Sequence, residues 1–297
     1  MHRYLRSIGF SQYKKKEAVE ELLSLCQDRY FDMAKASAGD FGEVALEIRV
    51  PVADHMGLCI KGILDENNRL TREDYYPYIT SSIVSASGPV SIYRHVDNRK
   101  YSALSDDPRA GITLIFTLDD SAGQIDRLKA GLGDCEEYDM YLAAFSDDAK
   151  VLMPLQKKVG EPVRKKAEDG QRDDLIDAAR GGDVHAMEKL TFSEMQIFAS
   201  VARRLQKEDI YSIVETCILP MGVECDTYQV IGEITAVEEV RNNMTGERLF
   251  DLTVISNDLP FHVGINAADL QGEPEPGRRF KGSIWMMGRI IPALKKN

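Results

Sequence analysis

The sequence predicts an α+β protein: a mostly antiparallel sheet with helices in the first half, a helical connector, and a small OB-like β-barrel module at the end. Three observations lead there. Apolar residues alternate with a period of two across much of residues 44–118 and again from 230 to 286, the mark of half-buried strands. Strands follow strands without the helical crossovers that a parallel sheet requires. Helical spacing gathers near the N-terminus and between residues 175 and 207.

The opening Tyr4, Leu5, Ile8 and Phe10 read as a short turn docked on the core. A helix follows, with Ser11 as its expected cap and Ala18, Val19, Leu22, Leu23, Leu25 and Cys26 recurring at helical spacing. Val44, Leu46, Ile48 and Val50 alternate as a strand that Pro51 is expected to end. Leu58 to Leu64 is a second strand, returning after a turn at residues 65–68. Tyr75, Tyr76 and Tyr78 surround Pro77 and are expected at a half-buried corner, with a ligand pocket as the alternative. Residues 90–96 and 101–104 flank a hairpin turn at 97–100, and Ile112 to Leu118 reads as a central strand. Ser121 is expected to cap a short helix carrying Ile125 and Leu128. Residues 138–145 and 151–155 read as a further hairpin about Ser146, Asp147, Asp148 and Ala149.

Residues 157–172 are charged and poor in large apolar side chains, which makes them a linker. Two short helices are expected beyond it, the second capped by Asp183 with Met187 and Leu190 on its apolar side, then a third over residues 193–207. From Val230 onward, alternating runs end at residues 242–246 and 257–258, a helical turn falls at 267–270, and Phe280, Gly282, Ile284 and Met286 close the set. That pattern resembles an OB-like barrel. The domains are therefore expected at 1–156 (α+β), 157–222 (linker and helical connector) and 223–297 (barrel-like module).

Composition narrows the function. With 43% hydrophobic and 29% charged residues, the chain carries enough apolar side chains to fold and no bias toward disorder. No apolar run approaches the roughly 20 residues of a spanning helix, and the N-terminus lacks the apolar stretch of a signal peptide. Five cysteines at wide spacing predict free thiols in a reducing, cytoplasmic setting rather than a disulfide framework or a zinc site. The net charge of −11 repels phosphate backbones, yet residues 1–16 and 276–297 hold bases and no acid. No phosphate-binding loop, dinucleotide fingerprint, nucleophile elbow or zinc-protease motif occurs. A metal pair from His95 and Asp97 lacks further ligands, and His262, flanked by Phe261 and Val263, is expected to turn away from their side of the strand and to stand partly exposed. Paired acids such as Asp147 and Asp148 read as solvated turns.

The segment Arg279 to Met287 stands out. With Phe280, Ile284 and Met286 inward, Arg279, Lys281, Ser283, Trp285 and Met287 share the opposite face. A tryptophan among cations is how sequence-tolerant single-strand binders offer a stacking platform. Packing against the N-terminal domain is the alternative, and it suits Trp285 and Met287 better.

The run Met1 to Ser11, the helical stretch through Glu208, Asp209 and Ile210, the segment Gly222 to Asp226 and the run Gly277 to Gly282 together resemble an uncharacterised domain-of-unknown-function family, number 3881, of Firmicutes bacteria. The resemblance covers essentially the whole chain. It implies a cytoplasmic bacterial protein and brings neither a known activity nor catalytic residues. The reading that follows is a non-enzymatic cytoplasmic binding or interaction protein without a cofactor. Its partner is a protein or a small molecule; nucleic acid is disfavoured and nothing points to a membrane. An enzyme with a site at the inter-domain cleft, or single-strand binding through the basic C-terminal face, are the alternatives.

Overall fold

The structure is a computed structural model describing residues 2–38, 44–65, 69–94, 100–119, 137–155, 175, 178–179, 183–190, 214–223 and 225–293. Residues 66–68 and 97–99 of the turns expected at 65–68 and 97–100, the helix expected after Ser121, Cys135, His95, the linker at 157–172 and the helix at 193–207 lie outside these residues. The described residues are mostly β, with few helices. By compactness the chain divides into residues 1–152 with 216–297, and residues 153–215.

In the larger unit a 3-10 helix, Arg3–Ile8, leads to helix α1, Lys16–Tyr30. Ser11 does not cap α1; Lys15 stands at the N-cap without a side-chain bond, and Ser11 turns instead to Glu247, to which its hydroxyl donates at 2.8 Å. Helix α1 buries Val19, Leu22, Leu23 and Cys26, while Leu25 faces water.

An antiparallel four-stranded sheet contains, in order, β1 (Lys35–Ala38), β2 (Val44–Ala53), β3 (Met56–Leu64) and β4 (Leu70–Ile79). Neither proline ends its strand. Pro51 lies beyond the residues of β2 that β1 pairs, beside a bulge, and Pro77 lies in β4, the outermost strand. A missing N–H costs little where no neighbour asks for it.

The second sheet holds the other twelve described strands: β5 (Ala86–Gly88), β6 (Ser91–Arg94), β7 (Tyr101–Asp107), β8 (Ile112–Leu118), β9 (Tyr138–Ser146), β10 (Ala149–Leu152), β11 (Cys217–Pro220), β12 (Thr227–Arg241), β13 (Arg248–Ser256), β14 (Leu259–Asn266), β15 (Leu270–Gln271) and β16 (Arg279–Pro292). The expected C-terminal module does not close on its own residues. Strand β16 has 14 residues, more than double the common strand length of about 5–6, and it has partners on both sides. Its first half pairs with β12 and β10, and its second half with β9 and β8. The pairings β12–β13, β13–β14, β14–β9, β9–β16 and β16–β12 return to their start, closing a ring of five strands whose fifth member comes from residues 138–146.

Residues 138–152 are not the expected hairpin. Strands β9 and β10 both run antiparallel to β16, one after the other, with Ala144 opposite Met286 and Ala149 opposite Gly282. Between these pairs four residues face three, so the acidic Asp147–Asp148 pair marks a bulge in one bent strand. Gly232 sits where β12 passes from β16 to β13; a side chain there would meet Val254 at 2.6 Å and the Ile255 carbonyl at 2.8 Å. Its role is close approach of two strands, while the bulge falls later, between Ile234 and Ala236.

Two cores result. One gathers the side chains of one strand face, including Leu142, Ala144, Val230, Leu252, Val254, Phe261, Val263, Phe280, Ile284 and Met286, and extends to Leu114 and Phe116 of β8. The other joins the four-stranded sheet and the N-terminal helices to the opposite face of the ring, through Ala143, Phe145, Leu249, Trp285 and Met287. Alternation along β16 thus feeds both.

The N-terminal turn is fixed to the β12–β13 loop by Asn242, which is 1% exposed. Its Nδ2 donates to the Ile8 carbonyl at 2.6 Å, and its Oδ1 accepts from the backbone N–H groups of Met244 and Thr245 at 2.8 and 2.9 Å. Gly9 has φ +86° and touches the same side chain so closely that a Cβ would stand 2.7 Å from Asn242 Cβ. Replacing Asn242 with Ala leaves these buried groups unpaired, and we expect a loss of about 2–3 kcal/mol in urea denaturation with an unchanged m-value. A loss under about 0.5 kcal/mol would show that water takes over the bonds.

In the smaller unit, residues 184–190 are helical. Asp183 caps them, its Oδ1 accepting from His185 N at 2.8 Å and Ala186 N at 3.3 Å. Ala186 is buried, and Met187 is exposed rather than on the apolar side.

Candidate functional site

Alternation on β16 sends Arg279, Lys281, Ser283, Trp285 and Met287 to one face, as pleating requires, but that face is not uniformly open. Met287 and Trp285 are buried, and so is Arg279 at the other end. The Trp285 ring stacks on Tyr4, with centroids 5.5 Å apart and 18° between planes, and meets His2 at 4.8 Å. Its Nε1 donates to Asp226 Oδ2 at 2.7 Å, which also accepts from the Thr117 hydroxyl at 2.7 Å. Burial is the largest of the influences on His2; it lowers the imidazole pKa to about 4 and leaves a neutral ring whose Nδ1 accepts from Tyr4 N. The stacking platform that the sequence offered for nucleic acid is filled by the chain's own N-terminus.

Between these buried ends lies an accessible patch, built by strand pairing. Lys281 stands opposite Lys150 of β10 and Ile231 of β12, which in turn faces Cys217 of β11. Ser283 stands opposite Gln229, which faces Leu219. Partners in register share a face, so Lys150, Lys281, Ser283, Gln229 and Leu219 form one surface. Leu219 is 57% exposed, and Met221 and Val223 at the hairpin end are 52% and 93% exposed.

Tyr76 and Tyr78 belong to a second polar cluster, on one face of the four-stranded sheet. Arg49, Cys59 and Tyr76 are in register across β2, β3 and β4, and Glu47 stands opposite Lys61. The Arg49 guanidinium donates to both oxygens of Asp119, at 3.1 and 2.5 Å, and to Glu47 Oε1 at 2.8 Å. It also lies 4.7 Å from the Tyr78 ring centre, while the Lys61 ammonium lies 4.8 Å from that of Tyr76. Burial disfavours the Arg49 charge; the two carboxylates outweigh it and raise its pKa. Burial likewise pushes the Tyr76 hydroxyl and the Cys59 thiol well up, so both stay protonated. Tyr75 points to the other side, where its hydroxyl accepts from His2 N at 3.3 Å. This cluster ties β8 to the four-stranded sheet; its groups are turned on one another.

His262 does face away from Phe261 and Val263, yet it is largely covered, with its side chain 13% exposed. Its Nδ1 lies 2.8 Å from Asp251 Oδ1, whose side chain is 2% exposed. Burial opposes protonation of this ring, but the Asp251 hydrogen bond and charge prevail and raise its pKa above 6.5. A raised folded pKa adds stability that is complete below the unfolded value and fades as pH rises through the folded one. The stability gap between wild type and Asp251→Asn is therefore expected to be largest below the ordinary imidazole pKa of about 6.5 and to narrow as pH rises above it in denaturant titrations. A gap independent of pH would show that the pair does not titrate in that window.

Asp251, Lys150, Gln229 and Leu219 escape a reading confined to single motifs. One signal was present for the first: counting outward from the Asn257–Asp258 turn, where both residues have positive φ, puts Thr253 opposite His262 and Asp251 one diagonal step away. The others meet β16 only through pairings between segments distant in sequence.

No helix among the described residues is long and apolar enough to cross a membrane. No curated protein and no solved structure matches the chain. A family model does, over residues 5–288, taking in most of the docked N-terminal turn, both sheets and the first ten residues of β16. The chain is a member of that family, a domain of unknown function described from an E. rectale gene (DUF3881).

Proposed function

We propose that the chain is a cytoplasmic binding protein, built around an OB-like barrel, that receives a polypeptide partner on the outer face of β10, β16, β12 and β11. The barrel reading is supported by the order of pairing: a three-stranded meander, a short helical turn at Ala267–Asp269, the antiparallel β16, and a parallel β14–β9 pair that closes the ring. The cytoplasmic reading is supported by Cys26, Cys59, Cys217 and Cys225, all unpaired thiols.

The observation that carries the binding reading is the exposure of Leu219, Met221 and Val223 beside Lys150, Lys281, Gln229 and Ser283. Large apolar side chains grouped in water mark interaction surfaces. Pro220 blunts strand addition at this edge: the Met221 N–H turns inward to the Thr227 carbonyl, so alternation points the backbone of Pro220 outward, where it has no donor to offer. Contact is through side chains, and its chemistry fits a partner that presents apolar groups next to carboxylates.

A photo-crosslinking residue at Gln229 tests this inside the native host. Wild type is expected to give a discrete adduct with one polypeptide, and purified Leu219→Asp/Met221→Asp and Lys150→Glu/Lys281→Glu proteins to bind that polypeptide at least tenfold more weakly at unchanged Tm. Equal affinity in all three would refute the surface. Salt-sensitive binding of single-stranded oligonucleotides in its place would favour nucleic acid.

A further inference from the structure

We propose that the free edge of β12 between Ile234 and Asn243 receives an extended, lysine- or arginine-bearing segment of a partner polypeptide as an added strand. This edge belongs to the second half of β12, away from Gln229, and does not depend on the surface described above. Along its first half β12 has β16 beside it, in pairs that run from Thr227–Trp285 to Glu233–Arg279. Two bonds carry that contact one residue further: Ile234 N donates to the Arg278 carbonyl and Gly277 N to the Ile234 carbonyl, each at 2.8 Å. At the other end Asn243 N donates to the Val52 carbonyl at 2.7 Å. Between these two ends, among the described residues, Ala236 to Arg241 pair with β13 alone.

The direction of each backbone group follows from the two ends. Asn242 N points toward the return strand, donating to the Glu247 carbonyl at 3.0 Å. Alternation then turns Arg241, Glu239 and Val237 away from β13. Counting from Ile234, which also points away, reaches the same three because the bulge before Ala236 adds one residue. Their outward N–H and C=O groups have no partner among the described residues. Glu239 and Arg241 are exposed and Val237 is half-buried. Such a row is a template for a further strand, and an extended peptide binds it through main-chain bonds while its side chains give specificity.

Charge selects the guest. Glu238 and Glu273 are exposed and make no ion pair among the described residues. Glu273 sits where the chain leaves β12, its carbonyl accepting from Arg278 Nη1 at 2.8 Å. Glu239 is shared between Arg248 at 2.8 Å and Arg241 at 3.9 Å. A lysine or arginine opposite Glu238, with an apolar side chain opposite Val237, meets this edge on both faces. A second copy of β12 does not. Two-fold registers centred on Glu238 or Glu239 set a glutamate against itself, which destabilises a strand pair. The register centred on Val240 matches Glu239 with Arg241 but sets Val237 against Asn243, whose N–H Val52 already holds.

A displayed library of random peptides of about nine residues, longer than a common strand, panned against the full-length protein tests the assignment. Enriched peptides are expected to alternate apolar residues with lysine or arginine. One of them, added to labelled wild type, should slow hydrogen exchange at the Val237, Glu239 and Arg241 amides. Glu239→Pro deletes an outward N–H and no bond to β13, so it should weaken binding at least tenfold with the fold retained by circular dichroism. Glu239→Gln keeps that N–H and should bind nearly as wild type, while Glu238→Lys should bind roughly fivefold more weakly or worse. Failure to enrich any peptide overturns the proposal, as does an acidic consensus. Unchanged exchange at the three amides overturns it too, and this wild-type measurement decides the matter if Glu239→Pro does not fold.

Discussion

Trp285→Ala is expected to lower unfolding stability by about 3–5 kcal/mol, the range for emptying a buried aromatic site. Its indole is 7% exposed, stacked on Tyr4, set against His2 and hydrogen-bonded to Asp226. Truncation opens a cavity beneath the N-terminal turn and removes one of the two donors to Asp226 Oδ2, leaving only the Thr117 hydroxyl. Trp285→Phe keeps most of the packing and loses the hydrogen bond, so about 1 kcal/mol is expected for it. The chain has a single tryptophan, so its own emission reports the result: blue-shifted and poorly quenched by acrylamide in wild type, shifting to the red on unfolding. Free quenching in the native state, with Trp285→Ala as stable as wild type, would contradict the packing and restore the stacking platform.

Arg49→Met is expected to cost about 3–5 kcal/mol, because it takes the guanidinium from two buried carboxylates at once rather than removing one contact. The side chains of Glu47 and Asp119 are each 3% exposed and both bind this guanidinium. Lys61, opposite Glu47 across the strand pair, compensates one of them at most. Removing all three charges together, as Arg49→Met/Glu47→Gln/Asp119→Asn, should recover most of the loss, since a neutral cluster carries no uncompensated ion. Equilibrium denaturation of both variants gives both answers. A single variant within about 1 kcal/mol of wild type would mean that water reaches the cluster and screens it.

Periodicity carried far in this chain where strands are neighbours in sequence. Phe250, Leu252 and Val254 alternate and meet Phe261, Val263 and Ile265 through a two-residue turn, all of which pleating and turn chemistry dictate locally. The inward set of β16 follows from the same rule. What a local rule does not reach is the partner across the sheet. Asp147 and Asp148 look like a hairpin turn, yet β10 continues along β16 because that strand is long enough to pair with both segments. Pro51 and Pro77 look like strand ends, yet each falls where no neighbour needs its N–H. Ser11 looks like a cap, yet a longer-range acceptor, Glu247, takes its hydroxyl.

Two facts about this protein were determined by the order of its residues alone: antiparallel strands make up much of it, and Arg279, Lys281, Ser283, Trp285 and Met287 share one face. Both follow from a side-chain period fixed by the backbone, which operates over a few residues. Tertiary structure decided which members of that face reach water. Trp285 is covered because Asn242, Glu247 and Asp269 hold residues 3–11 against the ring, whereas Lys281, between β10 and β12, stays half-exposed. Burial of this kind depends on segments more than 200 positions apart in the chain meeting in space, and no pattern within either segment encodes the meeting.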